Sequence, residues 1–215
     1  MDNKAYEIRD RFFREDHMYA RMEEFAKKDN LTVTLKALEY MAKKHEGQFR
    51  QRGILPGDKV KYINHPLLMA RHAYSLGIRD DNLLAAILIH DVVEDTDTLL
   101  EELPFDDEIK EIVELVTFSI CKGKTKQESK DIYFERMKSN EKAMVVKIID
   151  RCNNVSTMAG AFDRDRLLRY IVETEKYVLP YCDILKEQSK DYKDIAFIIK
   201  YHMISVLESI KCMME

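Results

Sequence analysis

The sequence predicts an all-α protein, and three observations favour that fold class. Glycine and proline are scarce, at 6 and 4 of 215 residues, whereas strands joined by tight turns need more of both. Apolar residues recur at helical spacing along most of the chain, and residues that start and stop helices flank these stretches. We therefore expect one helical domain over residues 1–215, with its core motifs in 45–185 and a final helix at 191–214.

Each predicted helix begins at a residue that suits a helix start. Asn30 is expected to cap a helix that Gly47 ends, and Pro66 is expected in the first turn of a helix that Gly77 ends. The further caps expected along the chain are Asp80 or Asp81, Asp106, Thr125 with Glu128, Asn140 and Asp163.

Some segments interrupt or obscure this helical pattern. Pro180 is expected to kink or end its helix. Residues 47–64, with three glycines and a proline, are expected to form a loop, and so are residues 122–130. The run VVKII at 145–149 is rich in β-branched residues. Its apolar pattern continues at helical spacing, so a helix is predicted there as well.

Composition and charge exclude several classes of protein. The chain is 46% hydrophobic and 34% charged, which is typical of a globular domain. Its 35 basic and 39 acidic residues give a net charge of −4, which argues against a general nucleic-acid surface. The charged N-terminus and the lack of any apolar run near about 18 residues predict no signal peptide and no membrane partner. We therefore expect a cytoplasmic protein. The four cysteines contain no CxxC pair, so a cysteine zinc site is not expected.

The segment HDVVED at 90–95 is the strongest chemical signal. Four ionisable groups, His90, Asp91, Glu94 and Asp95, follow an apolar stretch that must be buried. In a continuous helix His90 and Glu94 would share one face, as would Asp91 and Asp95. Such a cluster is costly at the end of a buried helix unless it is paired or binds metal. A solvated helix end is the alternative.

Two further residues strengthen the metal interpretation. His65 lies just before a proline at a helix start, and Asp150 lies within the apolar run VVKIIDRCNNV. Two imidazoles and two carboxylates suit Mn²⁺, Fe²⁺ or another borderline divalent ion, and such a site favours hydrolytic chemistry. Lys147, one helical turn before Asp150, could form a salt bridge there or bind phosphate.

Five stretches carry a resemblance to a known family. They are HEGQFR at 45–50, YINHPLLMA at 62–70, LLAAILIHDVVEDT at 83–96, VVKIIDRCNNVST at 145–157 and the ET…LPYCDIL pattern at 173–185. In this order they resemble the HD-domain phosphohydrolases, and most closely the (p)ppGpp hydrolase domain of the RelA/SpoT family, including its small stand-alone members. The resemblance implies an HD-domain helical bundle.

The resemblance also implies roles for individual residues. The positions that match the family's metal ligands are His65, His90, Asp91 and Asp150. The usual metal in the family is Mn²⁺, with Fe²⁺ or Zn²⁺ as other divalent candidates. The acidic pair that would position or activate the attacking water is Glu94 and Asp95. The positions that match the family's nucleotide pocket are Arg50, Asn154 and Thr157.

The implied activity is hydrolysis of the 3′-pyrophosphate of the stringent-response nucleotide (p)ppGpp, which yields GDP or GTP and pyrophosphate. The sequence departs from the family at DRCNN, where DRLHN is frequent, and in the longer segment between Arg50 and Tyr62. No synthetase segment follows Glu215, so synthesis is not expected. Two alternatives remain: a phosphohydrolase acting on another nucleotide or on NADPH, and a nucleotide-sensing module without turnover.

Overall fold

The computed structural model describes residues 14–51 and 59–214. Most of these residues are helical, which confirms the all-α class. The α-helices are α1 (Glu15–Lys28), α2 (Thr32–Lys44), α3 (Asn64–Ser75), α4 (Asp81–Ile89), α5 (Val92–Asp95), α6 (Asp107–Val116), α7 (Lys126–Arg136), α8 (Glu141–Met158), α9 (Arg164–Glu173), α10 (Leu179–Gln188) and α11 (Lys193–Met214). Short 3₁₀ turns occur at Leu100–Glu102 and Met137–Ser139, and a π-helical turn at Thr174–Val178.

The chain divides into two compact units, Met1–Ile89 and His90–Glu215. The expectation of a single domain stays a prediction. In the first unit α4 is the central helix, since α2 and α3 both pack against it. Every residue from Leu83 to Ile89 is buried. A helix that is apolar on all sides can be stable only when other elements surround it.

The N-terminus of α2 is capped from a distance. The predicted cap, Asn30, is wrong, because that residue adopts a positive φ of 56° and lies outside the helix. The carboxylate of Asp81 accepts hydrogen bonds from the backbone N–H groups of Val33 (2.9 Å) and Thr34 (2.7 Å). It also accepts one from the Thr34 hydroxyl (2.7 Å). The first residue of α4 therefore satisfies the free N–H groups of α2.

The other predicted caps are local and are confirmed. In each, a side-chain oxygen accepts a hydrogen bond from the backbone N–H three residues later. These caps are Asp80, Asp106, Thr125, Asn140 and Asp163. Glu128 completes the capping box by accepting from the Thr125 N–H at 2.7 Å.

The two expected loops contain regular structure. In 47–64, β1 (Phe49–Gln51) pairs with antiparallel β2 (Lys59–Lys61), with Arg50 opposite Val60. In 122–130, α7 begins at Lys126, directly after its capping box. The loop prediction is therefore wrong for the strand residues and for the second half of 122–130. Residues 52–58 lie outside the described part of the chain.

In the second unit α8 is the central helix, packed against α6, α10 and α11. It contains the run VVKII, so the helical prediction for that run is confirmed. Pro180 does not end its helix, because α10 continues to Gln188. The π-helical turn comes immediately before α10 and closes with a bond from the Leu179 N–H to the Thr174 carbonyl. Such a turn adjusts the backbone ahead of a residue that has no N–H to donate.

An ion-pair network joins α8 to the last residue of α9, directly before this π-helical turn. The buried guanidinium of Arg151 donates to the Glu173 carboxylate (2.7 Å) and to the Thr174 hydroxyl (3.3 Å). It also lies 4.0 Å from the centre of the Tyr170 ring. The other Glu173 oxygen binds Lys130. Burial alone would raise the pKa of Glu173, but Arg151 and Lys130 together hold it below its ordinary value.

The first prediction concerns the long-range cap. Asp81→Ala should lower the free energy of unfolding by about 2–4 kcal/mol, because it leaves several part-buried donors of α2 without an acceptor. Urea denaturation measures this change. Asp107→Ala is the matched control, since Asp107 is an exposed first-turn carboxylate of α6. Equal stability losses in the two variants would contradict the capping role.

The second prediction concerns Glu173. Glu173→Gln should lower the free energy of unfolding by about 2–4 kcal/mol at neutral pH, because buried Arg151 loses its counter-charge. The Glu173 pKa is lower in the folded than in the unfolded protein. The charge of Glu173 therefore contributes its full stabilisation above the unfolded-state pKa of about 4.3. This stabilisation is lost as the pH falls through the folded-state pKa.

Urea denaturation over a pH series should thus show the wild type and Glu173→Gln converging at acid pH. Glu175→Gln is the control, because the Glu175–Lys211 pair is exposed and should contribute less than about 1 kcal/mol. A Glu173→Gln deficit that persists unchanged into acid would show that the carboxylate charge is not what stabilises this region.

Candidate metal centre and active site

His90 and Asp91 form a turn between two helices. Helix α4 ends at Ile89 and α5 begins at Val92, so the expected continuous helix through this motif is wrong. His90 and Glu94 therefore do not share a helical face. No glycine or proline marks the break, and the local sequence pattern did not reveal it. Because His90 and Asp91 lie in this turn, their side chains do not follow the helical spacing of the buried residues that end at Ile89.

The two side chains of this turn come together. The Nε2 atom of His90 lies 3.0 Å from Oδ1 of Asp91. His90 is only 4% exposed, while the Asp91 side chain is 21% exposed. An imidazole nitrogen and a carboxylate oxygen that converge in this way form a donor pair suited to a borderline divalent cation. His90 and Asp91 are among the side chains whose possible ligand atoms lie close enough together to hold a metal ion.

Asp150 lies on α8, where both of its carboxylate oxygens have partners. The Lys147 ammonium is 2.8 Å from Oδ2, and the Asn154 amide donates to Oδ1 at 2.5 Å. Lys147 and Asn154 are one helical turn before and after Asp150, which puts all three on one face. Of the two roles that the sequence allows for Lys147, the structure shows the salt bridge. Asp150 itself is buried, as its apolar neighbours in the sequence indicated.

Glu94 follows the turn, on α5. Its carboxylate accepts a hydrogen bond from the backbone N–H of Phe118 at 3.0 Å. Glu94 is an exposed residue, but protein atoms around its carboxyl group limit the hydration of the charge and so raise its pKa, and the negative charges of Asp91 and Asp95 act in the same direction. The Phe118 N–H and the Lys147 charge oppose that rise without cancelling it. A raised pKa makes this carboxylate a stronger proton acceptor than an ordinary glutamate.

His65 belongs to the first unit, in the first turn of α3, where it is buried. Its ring meets the Tyr62 ring edge-on, with centroids 6.3 Å apart. Tyr62 in turn stacks on His45 at 4.6 Å, and His45 Nδ1 lies 2.7 Å from the Gln48 side-chain oxygen. The sequence pattern did not single out His45. The signal for His45 in the sequence is a glutamine three residues later, whose side chain can orient the imidazole ring.

The three positions expected to bind nucleotide fall in different places. Arg50 lies half-buried on β1 in the first unit. Asn154 and Thr157 lie on α8, the helix that carries Asp150. The Thr157 hydroxyl donates to the backbone carbonyl of Asn153 at 3.1 Å. The polar groups of Asn154 and Thr157 thus have intrahelical partners, and their contact with a nucleotide stays a prediction.

Lys130 and Arg151 are two cations whose contacts the sequence did not indicate. Lys130, from the basic segment 122–130, pairs with Glu173. Arg151 binds the same carboxylate. Arg151 and Glu173 are 22 residues apart in the sequence, so no local spacing indicates that they form a pair. Glu173 and Thr174 belong to the ET…LPYCDIL pattern that carries the family resemblance. The network anchors α8 at the residue next to Asp150.

Comparison with known proteins defines the family. No family model matches the sequence. The guanosine-3′,5′-bis(diphosphate) 3′-pyrophosphohydrolase MESH1 of Xenopus tropicalis is 39% identical over 127 residues, which cover 57% of this chain and 68% of the relative. The protein of the same name from Drosophila melanogaster is 31% identical over 153 residues, which cover 67% of this chain and 82% of the relative.

Two further matches extend the comparison. A probable GTP pyrophosphokinase of Mycobacterium leprae (strain TN) is 31% identical over 187 residues, which cover 82% of this chain but only 22% of that longer protein. A solved structure, reported as a metazoan ortholog of SpoT that hydrolyzes ppGpp and plays a role in starvation responses, matches with a TM-score of 0.65. It is 23% identical, the match covers 82% of this chain and 94% of that one, and it shows a shared fold. On its identity to the MESH1 proteins and its coverage of them, the chain belongs to the guanosine-3′,5′-bis(diphosphate) 3′-pyrophosphohydrolase family.

Proposed function

We propose that this protein hydrolyses the 3′-pyrophosphate ester of (p)ppGpp. The His90–Asp91 pair carries the proposal, because such a donor pair within a family of pyrophosphohydrolases supports metal-assisted hydrolysis. In the reaction the bond between the 3′ oxygen and the pyrophosphate group breaks. Water supplies a hydroxyl group to phosphorus and a proton to the 3′ oxygen, which gives GDP or GTP and pyrophosphate.

A divalent metal fits the donor set of this chain. The proposed ligands are His65, His90, Asp91 and Asp150. Imidazole nitrogens combined with carboxylate oxygens suit Mn²⁺, Fe²⁺ and Zn²⁺, and among these we propose Mn²⁺ because it is the usual metal of the family that the sequence resembles. When bound, the ion would supply a positive charge that polarises a phosphoryl oxygen.

The chain's own groups would carry the remaining steps. Glu94, whose pKa is raised, would take a proton from the attacking water, and Asp95 would help to hold that water. Arg50 would offset phosphate charge. Asn154 and Thr157 would contact the ribose or base, since amide and hydroxyl groups can both donate and accept hydrogen bonds.

The proposed partner is a small nucleotide rather than nucleic acid or a membrane. The net charge of −4 disfavours a broad nucleic-acid surface. In the described part of the chain, no helix has the length and apolar character to cross a bilayer. We propose a cytoplasmic location, where the nucleotide substrate would be available.

The third prediction tests substrate and site together. With Mn²⁺ added, the protein should release pyrophosphate from ppGpp and pppGpp, and should be far less active on other nucleotides and on NADPH. His90→Ala and Asp91→Ala should each abolish turnover, because each removes a proposed ligand. Phosphate and pyrophosphate release over a nucleotide panel measures this. Preferred turnover of NADPH, or nucleotide binding without turnover, would replace the proposed function by the corresponding alternative.

The fourth prediction concerns proton transfer. Glu94→Gln should lower kcat by roughly 10²- to 10⁴-fold, the usual effect of removing a general acid–base group, and should leave Mn²⁺ content nearly unchanged. Initial rates and metal analysis of the purified variant provide the two readouts. Glu101→Gln, at an exposed carboxylate of the same unit, is the matched control. If metal content and activity fall in step, Glu94 supports the metal rather than the proton transfer.

A further inference from the structure

We infer that Lys147 is a positioning residue that holds the Asp150 carboxylate in the metal-free protein and competes with the divalent ion for it. The inference rests on the metal site proposed above. Lys147 then has two opposed effects. It stabilises the protein that has no metal bound, and it lowers the affinity of the protein for the metal.

The contact is close and shielded from solvent. Lys147 Nζ lies 2.8 Å from Oδ2 of Asp150, and the two side chains are 15% and 10% exposed. The ammonium group also lies 5.6 Å from the centre of the Tyr133 ring. That ring is fixed, since the Tyr133 hydroxyl donates to the backbone carbonyl of Val116 at 2.6 Å. A lysine held in this way has little freedom to point elsewhere.

The charges of the pair support each other. Lys147 and Asp150 form a salt bridge that is shielded from solvent, so the ammonium and the carboxylate balance each other's charge. Removing one partner of a buried ion pair is costly, because the remaining charge loses that counter-charge.

The two carboxylate oxygens of Asp150 have different partners. Asn154 donates to Oδ1 with a neutral amide, which does not repel a cation. Lys147 occupies the side of Oδ2 with a full positive charge. A divalent ion bound by Asp150 would meet that charge within a few ångströms, where shielding by water is weak, so the two cations oppose each other.

These contacts disfavour the simpler phosphate-binding role for Lys147. A lysine that binds only phosphate would be expected to lie in solvent when no substrate is bound. The ammonium group of Lys147 instead forms a salt bridge with Asp150. Its removal should thus affect metal binding, and not only substrate binding.

The fifth prediction compares Lys147→Met with the wild type in Mn²⁺ titrations by calorimetry at fixed neutral pH. The variant should bind Mn²⁺ about tenfold more tightly, because a like charge next to the ion is removed. Without Mn²⁺ its melting temperature should be about 5–10 °C lower, the effect of breaking a buried ion pair in a protein of this size. Saturating Mn²⁺ should remove most of that difference, since the ion replaces the missing charge.

Two further variants make the result specific. Lys147→Arg keeps the charge and should restore both the metal-free melting temperature and the Mn²⁺ affinity toward wild-type values. Lys142→Met makes the same substitution on the same helix and breaks the ion pair with Glu108. Since Lys142 lies eight residues from Asp150, about 12 Å along the helix, its Mn²⁺ affinity should be unchanged.

An Mn²⁺ affinity of Lys147→Met that is equal to or weaker than that of the wild type would overturn the inference. So would a melting-temperature deficit that Mn²⁺ leaves unchanged, which indicates a structural role only. A higher KM for nucleotide with unaltered metal affinity would assign Lys147 to phosphate. If the wild type binds Mn²⁺ but does not hydrolyse ppGpp, only the proposed substrate fails. If it binds no Mn²⁺, the metal site and this inference fail together.

Discussion

The organisation of the second unit depends on one constraint, the burial of the Asp150 carboxylate within an apolar helix. A buried charge is tolerated only with compensating partners, and α8 supplies them at one turn on either side, in Lys147 and Asn154. The next residue, Arg151, introduces a second buried charge that requires Glu173. Through Glu173, the last residue of α9, the ion pair of Arg151 connects α8 to α9, and the ion pair of Lys130 adds α7.

In the first unit the main constraint is the burial of an apolar helix. Helix α4 is apolar on every side, and α2 and α3 both pack against it. Its N-terminal carboxylate, Asp81, also completes the hydrogen bonding of α2. At its other end the apolar run stops abruptly, and His90 and Asp91 follow in a turn.

The local environment gives similar carboxyl groups different chemistry. Glu94 and Glu173 are both crowded by protein atoms, which raises the pKa of any carboxyl group. Glu94 is next to Asp91 and Asp95, and its pKa is raised. Glu173 is between Arg151 and Lys130, and its pKa is lowered. The neighbouring charges therefore favour the protonated form of Glu94 and the ionised form of Glu173.

The sequence by itself determined the helical class, the HD motif with its candidate ligands, and the caps at Asp80, Asp106, Thr125, Asn140 and Asp163. The caps depend on residues three positions apart, whose geometry a helix fixes in advance, whereas the candidate ligands follow from residue type and from the family resemblance. Only the tertiary structure decided the features that join distant residues: the Asp81 cap of α2, the Arg151–Glu173 pair and the β1–β2 pairing. It also decided the break at His90. Packing selects these arrangements from many that the local sequence allows, so no spacing in the chain could specify them.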